Sequence, residues 1–437
     1  MRQFEKTGNN CHSIEERCEN VENGNRTSKQ LTKDYKLDIP CMILGFWVFC
    51  SVSYLTYRMS LSDGVTFFSD YVTHIMTVVE DNTSSAYSLM SLLFRILYNI
   101  TGNTILISLF IGALVCLTGW AIRKALVVIL RLQDKTDNCI SLYQNDENYK
   151  LFLGFLSFGL IFLSALYIPK RAPFYLQAVP HDIIIVGSLI TQPWHNSTYV
   201  AMRLFAILSF ISFVQLLEQD SGRVNPKSLI RFFVLLLITN LFKPNFVIAF
   251  APAAFLICLI ELIRNHGKGL VKYVWLGVAF VASLVPLLYQ YVVLFSSDAE
   301  AGIAFSLDKF VGYVETGFFP WLLISNLSFP FIVTVLSLVN HRKNNILLLS
   351  WILEIITFFE MMFIKETGLR TLDGNFGWGM MLSSLILFVC CVAELITIPK
   401  HEKYRWARSA AWCVLLLHLI NGFMYFGILI MGGTYCC

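Results

Sequence analysis

Apolar runs of membrane-crossing length recur along this chain from Leu37 to its end. A helix needs roughly 20 such residues to cross the hydrocarbon core. In lipid the backbone must satisfy its own hydrogen bonds, so each run is expected to be helical. About eleven spans can be placed, near 38–57, 104–122, 149–168, 199–217, 228–241, 246–262, 271–295, 320–339, 345–364, 377–398 and 406–431. The predicted fold class is all-α, a polytopic transmembrane helical bundle forming one domain over 38–437. Composition points the same way. At 56% hydrophobic and 14% charged residues, a water-soluble chain would expose large apolar patches.

Residues 1–37 are polar, rich in Asn, Glu, Lys and Ser, and read as a flexible cytoplasmic tail. No apolar stretch follows the first charges, so a cleavable signal peptide is not expected, and the first run serves as an uncleaved anchor. The net charge of +4 is spread out, with no basic stripe interleaved with aromatics, so nucleic acid is not an expected partner. Most of the twelve cysteines, such as Cys116, Cys258, Cys390 and Cys391, sit inside apolar runs and read as small hydrophobes.

Positive charge orients the chain, because Lys and Arg are retained on the cytoplasmic side. With the N-terminus inside, the tail and the even-to-odd connections carry 24 of the 33 basic residues. Arg123 and Lys124, Arg264 and Lys268, Arg342 and Lys343, and Lys403 and Arg405 are among them. The expected location is the plasma membrane, multi-pass, with the C-terminus outside and the lipid bilayer as first partner. Outside connections fall at 58–103, 169–198, 242–245, 296–319 and 365–376. Most exceed what a connection needs and keep ionisable and aromatic residues, which suits function.

The first outer loop reads as amphipathic interfacial helices. Over Val65–Glu80, Phe67, Phe68, Tyr71, Val72, Ile75 and Val79 fall on one side, and Asp70, Thr73, His74 and Thr77 on the other. Asp70 and His74 are four apart and point the same way. The pair suits a general base or a divalent-metal site, or a solvated polar face that holds the helix at the interface, the commoner case for such spacing. Asp63 is a helix cap or a second base. At the next entrance, Trp194 and Tyr199 suit interface anchoring, while His195 and Asn196 can hydrogen-bond a sugar. Arg203 lies one turn inside a span and needs a partner, water, or a snorkelling route. A pair with Glu360 is one such arrangement. Lys243, beside Pro244, presents a cation suited to phosphate or simply anchors a hairpin. Glu366, Arg370, Asp373 and Asn375 crowd a glycine-broken segment, as a polar site or a salt-bridged turn.

These motifs bring a family into view. The acidic residues and His74 after the first span, Trp194-His195-Asn196-x-Thr198-Tyr199 through Arg203, Lys243-Pro244-Asn245-Phe246, and Glu366-x-Gly368-x-Arg370-x-x-Asp373-Gly374-Asn375-Phe376-x-Trp378-Gly379 resemble a group of bacterial membrane proteins that looks like the GT-C class of multispanning glycosyltransferases. The resemblance covers most of 38–431. It implies a GT-C-like fold and transfer of a sugar from a polyprenyl-phosphate donor at the non-cytoplasmic face, in building cell-envelope glycans. Asp70 becomes the base, with Asp63 second and His74 beside it. Lys243, Arg203 or Arg370 would hold the carrier phosphate. Trp194, His195 and Asn375 would line the sugar site, with Asn196, Glu366 and Asp373 in the same pocket. In this class the loop carboxylate can instead help hold a metal, so a divalent cation such as magnesium or manganese is a candidate cofactor. Many members carry an adjacent acidic pair in that loop, whereas Asp63 and Asp70 here are seven apart. Two rival functions fit the same architecture: a polysaccharide polymerase or ligase on lipid-linked glycans, and a non-enzymatic transporter or lipid flippase.

Overall fold

The computed structural model describes residues 39–61, 70–79, 88–133, 147–166, 194, 196–219, 224–295, 300, 302–315, 317, 319–368, 371, 374–399 and 402–431. The tail, Asp63, His195, Arg370 and Asp373 lie outside these residues.

In chain order the helices are α1 (Ile39–Ser60), α2 (Asp70–Val79), α3 (Leu89–Thr101), α4 (Ile105–Gln133), α5 (Glu147–Gly159), α6 (Ser197–Leu217), α7 (Pro226–Phe242), α8 (Asn245–Arg264), α9 (Leu270–Ser283), α10 (Val285–Phe295), α11 (Asp308–Glu315), α12 (Phe319–Val339), α13 (Asn345–Phe363), α14 (Gly377–Thr397) and α15 (Arg405–Ile430). Strands β1 (Gly302–Phe305) and β2 (Ile364–Thr367) pair antiparallel, Gly302 opposite Thr367 and Phe305 opposite Ile364. This ribbon is the one departure from an all-α fold among the described residues.

Nine described helical segments are long and apolar enough to cross a membrane, α9 and α10 counting as one. All eleven expected spans have helical counterparts. Two of these fall short of that length: α5 with its following turn, and α7. The chain is thus a polytopic helical membrane protein. The span expected over 149–168 stops being α-helical at Gly159. A tight turn, Leu160–Phe162, and extended backbone follow. No proline or glycine pair forces this. Instead, other elements receive the freed backbone groups. Arg203 donates to the Ile161 carbonyl at 3.0 Å, and His418 Nδ1 lies 2.7 Å from the Ser164 carbonyl. Asn421 donates to the Ala165 carbonyl at 2.8 Å, and the Leu166 amide donates to Ser325 at 2.8 Å. Non-helical backbone at this depth persists only when protein covers it in this way. The break at Leu284 has a local cause, Pro286, which removes a helical donor. Asn240 caps the Ser283 carbonyl there at 2.6 Å.

Lipid tails are as apolar as leucine, so close packing and polar contacts hold such helices together. Gly112 of α4 lets α1 approach: a Cβ there would lie 2.7 Å from the Phe49 carbonyl. Gly422 of α15 is tighter still, facing the Phe162 carbonyl with no room for a methyl group. The centre is α14, almost wholly enclosed, with α4, α6, α8, α12 and α13 packed around it.

Candidate functional site

Two short amphipathic helices follow α1, as expected. On α2, Tyr71 and Ile75 are buried, Thr73 is exposed, and Asp70 and His74 are half-buried between them. The helix docks through its polar face onto the N-terminus of α6. Asn196 caps α6 by accepting from the Tyr199 amide at 3.0 Å and the Thr198 hydroxyl at 2.6 Å. Its amide nitrogen is left to donate to Asp70 Oδ2 at 2.6 Å. The next residue, Ser197, lies 2.8 Å from His74 Nδ1 through its hydroxyl. Adjacent residues of α6 thus bind Asp70 and His74, and the carboxylate sits at the positive end of the α6 dipole.

A second cluster forms where the α7–α8 turn meets the segment before α14. Lys243 caps α7, and its amide donates to the Thr239 carbonyl at 3.0 Å. The side chain is buried rather than reaching out as a simple hairpin anchor. Its ammonium donates to Asn375 Oδ1 at 3.2 Å and lies 5.4 Å from the Trp378 ring centre. Asn375 is the hub. Its amide donates to Glu366 Oε2 at 2.8 Å, and its carbonyl accepts from Asn245 at 2.7 Å. Gly374, at φ 58°, supplies the left-handed turn that presents it.

The clusters join through aromatic rings. Tyr199 packs on Trp378 at 5.1 Å between centroids. An unbroken series of contacts therefore runs Asp70, Asn196, Tyr199, Trp378, Lys243, Asn375, Glu366. Beside its far end lies a cleft of about 360 Å³, lined in part by Lys309, Lys365, Glu366 and Asn375. Lys365 pairs with Asp308 at 2.5 Å, and its hydrogen bond holds the Asp308 carboxyl below its usual range. Burial pushes the Lys309 ammonium down to about 8.

Not every expected residue joins this site. Trp194 packs among aromatic rings, 5.6 Å from Phe162 and 4.9 Å from Phe426. Arg203 is bound to the Ile161 carbonyl and lies over Tyr199 at 5.8 Å; the pair with Glu360 does not form. Asn245, quoted only within a motif, and Lys309 had no expected role. Lys309 is a lone lysine in a loop-like stretch, and only its place behind Asp308 at a helix start hinted at a role. Among the described residues, no three His, Cys, Asp or Glu side chains converge as metal ligands.

Comparison with protein families, curated proteins and solved structures finds no match to this chain.

Proposed function

We propose that this protein is a membrane glycosyltransferase that moves a sugar from a polyprenyl-phosphate donor to an acceptor hydroxyl at the non-cytoplasmic face. In this reading all eleven helical segments cross the membrane, α5 and α7 being short spans. The tail and Arg342 face the cytoplasm, and α2, Lys243 and the β1–β2 ribbon face outward. The observation that carries the reading is the contact series from Asp70 to Glu366. It links a carboxylate and a buried ammonium through one series of contacts at one end of an apolar bundle.

Glycosyl transfer needs both. As the bond between the sugar and the phosphate oxygen breaks, negative charge grows on the leaving phosphate and must be met by cations. Lys243 and Lys309 supply that charge. The acceptor hydroxyl forms the new bond and gives its proton to Asp70, which Asn196 holds in place. Asn375 and Glu366 hydrogen-bond the sugar. A divalent cation, if used, would sit at Asp70 and His74 and offset phosphate charge.

Asp70→Asn keeps the side chain's shape and removes its basicity. In lipid nanodiscs supplied with radiolabelled polyprenyl-phosphate sugars, it should lower transfer by about 100-fold or more, with melting unchanged. Transfer within about twofold of the parent protein, by a variant that melts normally, would discard Asp70 as base and the reading with it.

A further inference from the structure

Three glutamates lie along one helix–helix interface inside the bundle, and the glycosyl-transfer reading uses none of them. On α13, Glu360 sits one turn inside the end nearest the candidate site. Glu354 is nine residues from each end of this 19-residue helix. That places it about 14 Å from either end, the midpoint of the span. On α14, Glu394 sits one turn inside the opposite end. All three are buried, with relative exposures of 6%, 2% and 0% in that order.

Polar side chains lie between them. Glu354 Oε2 accepts from the Ser383 hydroxyl at 2.5 Å, and Oε1 from Ser384 at 2.7 Å. Ser383 Oγ is 2.6 Å from Thr357 Oγ1, one turn toward the site. Thr357 and Glu360 share a helix face, and both border Gly379. A Cβ on that glycine would lie 3.5 Å from Thr357 and 3.7 Å from Glu360 Oε2. Buried as it is, the Glu360 carboxylate accepts no hydrogen bond and forms no ion pair among the described residues, and it points across the interface at Gly379. In the other direction, Ser350 lies one turn below Glu354 and faces Cys390 of α14, its hydroxyl donating to the Leu347 carbonyl at 2.8 Å. Cys390 is one turn from Glu394. Glu394 accepts from Ser337 at 2.7 Å, Arg342 Nε at 2.6 Å and Asn344 at 2.7 Å.

Helix packing does not require such groups, because small residues achieve close contact without buried acids. Ionisable residues in a span are costly and mark ion or proton routes by default. Hydroxyls both donate and accept, so Ser383 and Ser384 serve Glu354 with or without its proton, and Thr357 bonds Ser383.

We infer that the α13–α14 interface carries protons across the membrane, with Glu354 as the midpoint relay. A proton taken up by the Glu360 carboxylate passes through the Thr357 and Ser383 hydroxyls to Glu354. It then passes by way of Ser350 and Cys390 to Glu394. Water completes the one-turn gaps, and Glu394 must loosen from Arg342 to accept the proton. One proton enters as one leaves, and no other bond changes. Arg342 is the one cation bound to the row among the described residues; Arg203 and Lys243 are held elsewhere.

The inference does not depend on glycosyl transfer. Purified protein is reconstituted into vesicles holding a pH-sensitive dye, and a potassium diffusion potential is imposed with valinomycin, without any donor lipid. The parent protein should move protons several-fold faster than protein-free vesicles. Glu354→Gln, which can still accept one serine hydrogen bond, should fall to the protein-free rate, while Glu402→Gln stays at the parent rate. If Glu354→Gln does not fold, Ser383→Ala combined with Ser384→Ala takes its place, with the same loss expected. A parent rate equal to that of protein-free vesicles overturns the proposal, as does parent-like flux in the relay variants. Because no donor is present, that failure leaves the Asp70 test untouched.

Discussion

Lys309 shows how a single side chain sets a testable pH window. Its ammonium is held down to about 8 from an ordinary 10.5 because burial disfavours the charged form. Between those values the unfolded chain keeps the proton and the folded chain has lost it, so this group's contribution to stability rises with pH across that window and is flat below about 8. Donor binding runs the other way, since the cation that meets the phosphate disappears as pH rises through about 8. Affinity for a polyprenyl phosphate, followed by fluorescence titration, should fall severalfold between about pH 7 and 9. Lys309→Arg should flatten that fall, because guanidinium stays charged. An unaltered profile in the arginine variant would remove Lys309 from the phosphate site. At this scale the sequence was partly legible. The four-residue spacing of Asp70 and His74 predicted a shared face, and α2 has it. The partner of Arg203 was not legible, because it is a backbone carbonyl, Ile161, and carbonyls have no sequence signature. The same holds for the capping roles of His418 and Asn421.

Among the elements, most span positions were readable to within a few residues, since apolar length fixes them, but α4 runs on past its expected end at 122 to Gln133. The unwinding after α5 was not, because Leu160 to Leu166 contains no breaker and the caps come from residues far away in sequence. The break at Leu284 could have been foreseen from Pro286. How tightly the unwound segment is held can be measured at Gly422, where a methyl group would meet the Phe162 carbonyl. Backbone cannot rotate aside as a side chain can. Gly422→Ala should therefore destabilise by about 3 kcal/mol, the upper end of ordinary overpacking, read as a lowered melting temperature in detergent. Gly427→Ala on the same helix faces open space and should melt like the parent. Equal melting of the two variants would show that α15 and the Phe162 turn do not pack as described.

For the molecule as a whole, charge asymmetry is the basis of the proposed orientation. Arg342 and Lys343 join α12 to α13, and Thr371 lies across the bundle between β2 and α14. A phosphatase reporter active only outside the cytoplasm should be silent when fused after Lys343 and active when fused after Thr371. The reversed pattern would turn the site toward the cytoplasm and end the outward-facing proposal. Composition and periodicity could supply the approximate positions of the apolar helices. They could not say which helix occupies the centre, since α4 and α8, both less enclosed, are more apolar than α14.

That central position has a consequence for biogenesis. The helices packed most closely around Gly377–Thr397, from α4 to α13, leave the ribosome before it. The earlier helices must keep a berth open in the bilayer, with Glu354 awaiting Ser383 and Ser384, until this late-arriving segment slides in and closes the assembly. Chains truncated before Gly377 would expose that berth to lipid, a ready mark for membrane quality-control proteases.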